Sequence, residues 1–126
     1  MTQTGRSAKG VTGSTSYHSG LSAEHQVAER YAQAGAQWLE HRWRGSAGEI
    51  DLIFEKDDTL VFVEVKSSRS FDGALNSFRS RQVARVCQTA EEFAGRFGEP
   101  REIRLDLALV NGAGQIRTLE NVLAMG

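Results

Sequence analysis

The stretch GEIDLIFEKDDTLVFVEVK, residues 48–66, decides how the chain folds. Two runs rich in Ile, Val, Leu and Phe flank the polar connection KDDT, the pattern of a β-hairpin. Side chains alternate across a strand. On the second run Val61, Val63 and Val65 therefore face one way, and Phe62, Glu64 and Lys66 the other. On the first run Ile50, Leu52 and Phe54 share one face, and Glu49, Asp51 and Ile53 the opposite one. A short loop pairs Glu55 with Leu60. Counting back, Ile53 meets Phe62, Asp51 meets Glu64, and Glu49 meets Lys66. Sliding the register by one residue would split this charged set between the two faces.

Directly opposed residues bring their Cβ atoms to about 5 Å. Two ionised carboxylates at that separation repel by about 3 kcal/mol at an effective dielectric of about 20. Lys66 offsets part of that cost, and a hard divalent cation would offset more. Mg²⁺ favours one or two carboxylates together with water and phosphate oxygens. Asp51 and Glu64 are thus candidate metal ligands, with Lys66 placed to steady a water or a developing charge. Spacing alone leaves a second reading open, in which Glu49 and Lys66 form an exposed cross-strand ion pair worth little.

Outward from the hairpin, AEHQVAERYAQAG predicts a helix over 22–34, capped by Ser22 and ended by Gly35. AQWLEHRW, 36–43, predicts a strand, and GSAG, 45–48, a turn. Residues 67–78 show no period and read as a mobile loop. A second helix spans 79–95, with Val83, Val86, Ala90, Phe93 and Ala94 on one stripe. EIRLDLALV, 102–110, alternates as a strand, and QIRTLENVL closes as a short strand and a helical turn. The order αβββαβ predicts an α/β fold with a mixed sheet flanked by helices.

The chain has 126 residues and a net charge of −1, which suits one domain and requires any attraction to phosphate to come from a local patch. Residues 1–20 are rich in Gly, Ser and Thr and predict a disordered tail ahead of a single domain over 21–126. The lone Cys87 excludes an intrachain disulfide, and its helical setting suggests a buried, inert thiol. No apolar run is long enough to span a bilayer, and no signal peptide is evident, so a cytoplasmic protein without a membrane partner is expected. Arg44, Arg69, Arg79, Arg81 and Arg85 flank the charged face and could contact a nucleic-acid backbone. Trp38 and Trp43 read as core residues, and His25 and His41 as surface or capping residues.

An acid in the first helix, then GEID, then EVK one strand later resembles the PD-(D/E)xK nuclease superfamily. The order of AEHQVAERYAQAG, WRGSAGEIDLI, TLVFVEVKSSRS and RLDLALV is similar to the YraN-like family of uncharacterised bacterial proteins, relatives of Holliday junction resolvases. The resemblance implies a restriction-endonuclease-like core and Mg²⁺- or Mn²⁺-dependent cleavage of DNA, whether branched, flap or single-stranded. It implies Asp51, Glu64 and Lys66 as catalytic residues. Asp51, Glu64 and the Val65 carbonyl would hold metal, Glu24 would join through water, and Glu49 and Gln82 would support the site. Arg81 stands where the family usually has lysine, and Leu105 where it has an aromatic residue. A four-way junction as substrate would favour a homodimer. The alternatives are a DNA-binding module without catalysis and a protein-interaction adaptor.

Overall fold

A computed structural model describes residues 15–78 and 80–125. The elements run α1 (Thr15–Gln33), β1 (Gln37–Arg44), β2 (Glu49–Lys56), β3 (Thr59–Ser67), α2 (Phe71–Asn76), α3 (Ser80–Ala94), β4 (Glu102–Val110) and β5 (Ile116–Leu119), then a 3-10 turn at Val122–Met125. The five strands lie in sequence order in one sheet. β3 and β4 are parallel, with α2 and α3 in the crossover, and the other neighbours are antiparallel. This is the mixed α/β sheet expected, compatible with a restriction-endonuclease-like core.

The hairpin register matches the sequence pattern: Glu55 pairs with Leu60 and Ile53 with Phe62. Its turn is tighter than expected. Lys56 and Thr59 still pair, leaving only Asp57 and Asp58 to turn the chain. Both adopt left-handed backbone, φ 51° and 65°. Two successive left-handed residues match the right-handed twist of the strands, and Asp tolerates that conformation better than most residues.

Each sheet face packs under its own helix. On one side Ala23, Val27, Ala28 and Tyr31 of α1 cover Leu52, Phe54, Val61, Val63 and Ala108. On the other, Val86, Ala90 and Phe93 of α3 cover Ile53, Leu60, Phe62 and Leu105. Ile50 belongs to this second cluster, not to the Leu52 and Phe54 face that strict alternation assigns it. The expected alternation is therefore broken between Ile50 and Leu52.

Other differences follow from packing. The first helix starts at Thr15, so Ser22 lies inside it rather than capping it. One unfavourable residue costs a growing helix only a few tenths of a kcal/mol. The expected tail thus gives way to helix at residue 15, and residues 1–14 lie outside the described residues. The segment 67–78 is not all loop: Phe71–Asn76 is helical, its amide at Gly73 capped by Ser70 Oγ at 3.0 Å. Ala74 is fully buried there beside Leu107 and Leu109. α1 ends as expected, with Gly35 at φ 96° and the Ala36 amide returning to the Tyr31 carbonyl at 3.0 Å.

Candidate metal centre

The β2–β3 ladder runs regularly from Lys56–Thr59 to Leu52–Val63. Just beyond, side chains take over from backbone acceptors. The Val65 amide donates to Asp51 Oδ2 at 2.8 Å, and the Asp51 amide donates to Glu64 Oε2 at 3.2 Å. Each carboxylate therefore grips the backbone beside the other, which brings the two acids together as their opposition across the hairpin required.

This pair is deprived of water. Glu64 is 7% exposed and Asp51 is half-buried. Burial pushes the Asp51 carboxyl up to about 6, against the Val65 amide and the charges of Lys66 and Arg42, which favour ionisation. Burial also pushes Glu64 up, to about 8, and the neighbouring Asp51 charge adds to the effect. Lys66 is half-buried, and its charge acts on both acids. Burial and mutual repulsion thus oppose ionisation of both acids at once.

Glu24 of α1 stands behind the pair, and its charge raises both Asp51 and Glu64. Its own oxygens are taken. Oε1 meets His41 Nε2 at 2.7 Å and Arg42 Nε at 3.1 Å, and Oε2 accepts from Arg42 Nη2 at 3.1 Å. Arg42 adopts left-handed backbone inside a strand, φ 57°. It sits between the pairs His41–Leu52 and Trp43–Ile50, level with Asp51. A non-glycine residue held in that region is strained and persists where surrounding contacts over-determine it. Here the forked grip on Glu24 supplies them.

On the α3 side the parting strands open a cavity of about 240 Å³, lined by Glu49, Glu64, Gln82, Arg85 and Thr89 among others. Acidic groups form its floor, and an arginine and an amide form its wall.

A sequence model of the family described as "Uncharacterised protein family UPF0102" matches residues 23–110. The chain belongs to that family. A UPF0102 protein of Roseobacter denitrificans is 43% identical over 118 residues, covering 90% of each chain. One from Dinoroseobacter shibae is 44% identical, covering 91% of this chain and 87% of its own. One from Ruegeria pomeroyi is 40% identical, covering 90% and 94%. The YraN-like resemblance carried by GEIDLI and FVEVK is thus the right one, and the matched span of this UPF0102 chain contains Glu24, Asp51, Glu64 and Lys66.

The remaining expected site residues divide. Gln82 and Arg85 line the cavity beside Glu64. Arg44 is exposed and lies 3.7 Å from Glu49, so the cross-strand partner of Glu49 is Arg44 rather than Lys66. Arg69 is exposed on the loop after β3. Arg79 and the side chain of Arg81 lie outside the described residues. The contribution of Val65 seen here is its amide. Among the described residues no group of three His, Cys, Asp or Glu side chains is arranged to hold a metal ion. The donor set is the Asp51–Glu64 pair, which suits a hard cation that completes its shell with water and phosphate oxygens.

Sequence reasoning missed four features. His41 is not merely a surface residue, because it holds Glu24. Trp38 is 40% exposed, whereas Trp43 packs on the α3 side as expected. Asp106, fully buried on β4, gathers Tyr31, Arg104 and the Asn121 amide. Cys87 is half-buried rather than buried. Among the described residues no helix is long and apolar enough to cross a membrane.

Proposed function

We propose that this UPF0102 protein is a divalent-metal-dependent DNA endonuclease. The observation that carries the reading is the convergence of Asp51 and Glu64, two carboxylates drawn out of water and each gripping the backbone beside the other, within reach of the Lys66 charge. Asp51 and Glu64 would hold Mg²⁺ or Mn²⁺, which would polarise a phosphodiester and lower the pKa of an attacking water. Lys66 orients that water and balances charge that develops on the phosphate. Arg85 and Gln82, across the cavity, contact the phosphate backbone and hold it in register with the acids. Glu24 positions Arg42 and adds negative potential that favours cation capture.

The test is a cleavage panel of four-way junction, flap, single-stranded and duplex DNA with Mg²⁺ or Mn²⁺. Wild type should cut at least one substrate, and Asp51→Ala and Glu64→Ala should cut none. A wild type that leaves every substrate intact overturns the reading.

A further inference from the structure

Glu24 is gripped by two successive residues of one strand. His41 Nε2 meets its Oε1 at 2.7 Å, and Arg42 donates from Nε to Oε1 and from Nη2 to Oε2, each at 3.1 Å. Neighbouring side chains of a regular strand point to opposite faces, which would send one of the two away from α1. The left-handed backbone of Arg42, φ 57°, breaks that alternation and turns both toward the same buried carboxylate.

The break passes through two strands at one level. His41 reaches α1, and its β2 partner Leu52 packs in the α1 cluster. Two residues away, Trp43 and its partner Ile50 both pack in the α3 cluster. Residues two apart in a strand ordinarily share a face. Here His41 and Trp43 diverge on β1, and Leu52 and Ile50 diverge on β2. Arg42 lies between the first two and Asp51 between the second two. The paired strands therefore switch faces together at Arg42 and Asp51. At that level Asp51 Oδ2 takes the Val65 amide, and the Asp51 amide turns to Glu64 Oε2.

We infer that Glu24 is a positioning residue for the Asp51–Glu64 pair. Its fork on Arg42 holds the face switch of β1, the paired β2 follows, and Asp51 is set beside Glu64. The inference deepens the metal-centre reading and rests on it for its readout. It departs from the role that the nuclease resemblance implies for Glu24, a contact to the ion through water. Both Glu24 oxygens are engaged by β1, and the carboxylate acts on the site through the backbone. A residue with a Cβ enters the left-handed region at a cost, whereas glycine enters it freely. Arg42 thus needs the fork to keep its conformation, and a glycine in its place does not.

The test is calorimetric titration with Mn²⁺ of wild type, Glu24→Ala, and two double variants that combine Glu24→Ala with Arg42→Gly or with Arg42→Ala. Both doubles remove the same two charges, so the backbone freedom at position 42 is what separates them. Glu24→Ala should weaken Mn²⁺ binding about tenfold, the scale of the left-handed penalty. The glycine double should recover most of that loss and the alanine double none of it. Glu24→Gln in place of Glu24→Ala preserves the volume at this buried position, guards against a folding defect, and should give the same ranking of doubles. Equal affinity of the two doubles, a Glu24→Ala variant that binds like wild type, or a wild type that binds no ion overturns the inference. The expected ranking in a protein that cuts no DNA upholds the positioning role while removing the nuclease reading. Mn²⁺-dependent cleavage by wild type, with equal affinity in the two doubles, removes the positioning role and leaves the nuclease.

Discussion

Asp106 and the Asp51–Glu64 pair are both acidic sites in the sheet, yet their surroundings are opposite. Asp106 is fully buried, and both its oxygens are engaged. Tyr31 Oη donates to Oδ2 at 2.6 Å, Arg104 grips both oxygens at 3.0 and 2.8 Å, and the Asn121 amide donates to Oδ1 at 2.9 Å. That cluster ties α1, β4 and the C-terminal turn together. Asp51 and Glu64 each hold a backbone amide beside the other acid. A buried charge with all its acceptors satisfied is part of the scaffold. A buried pair of acids facing one another is costly to the apo fold when both ionise, and a cation would relieve that cost.

The largest contrast should come from stability. Asp106→Ala leaves the Arg104 guanidinium and the Tyr31 hydroxyl without their partner and should cost about 3–5 kcal/mol in urea unfolding. Glu64→Gln removes a repelling charge and should leave the fold as stable or slightly more so. Equal losses in the two variants would erase the distinction.

Activity should show the reverse. Asp51→Ala or Glu64→Ala should lower metal-dependent cleavage by at least about a hundredfold, as should Lys66→Ala, the scale of losing one preorganised charge contact. Folded fractions measured by circular dichroism should stay at the wild-type level in these variants.

A smaller effect lies in pH. The folded-state pKa values of Asp51 and Glu64 are raised above their ordinary ones, so the native state binds more protons than the unfolded state. Their contribution to stability is full below the ordinary carboxylate range and is lost as pH rises through about 6 and then about 8. With EDTA present, the Tm of wild type should therefore fall across that window more than that of an Asp51→Asn, Glu64→Gln double variant. Mn²⁺ should flatten the wild-type slope, because the cation takes the place of the proton.

The scaffold was the more legible part of the sequence. Alternation within EIDLIFE and TLVFVEVK fixed the pairing of Ile53 with Phe62, and a turn of Asp57 and Asp58 preserved it although the loop was shorter than expected. The apolar stripe of α3 and the alternation of β4 were equally plain, because a buried face imposes its period. Ile50 was misplaced because a break in alternation has no periodic signature: the left-handed Arg42 on the neighbouring strand shows only in the backbone. α2 was hidden because six residues carry too little pattern, and its stability comes from burying Ala74 and from the Ser70 cap. The two acids, opposed in the expected register, each grip the backbone beside the other. The role of Arg42 and His41 as holders of Glu24 was not legible, since contacts 17 and 18 residues apart leave no local trace. Asp106 looked like an ordinary polar residue in an alternating strand, and only its neighbours in space make it a tie.

Calorimetric titration with Mn²⁺ tests the metal-site claim most directly. Wild type should bind the ion with a defined stoichiometry and with affinity rising between pH 6 and pH 8 as the protons on the pair are displaced. The Asp51→Asn, Glu64→Gln double variant should bind none while unfolding at the same or a higher temperature. Identical heats from wild type and the double variant would contradict the claim that these two carboxylates share a cation.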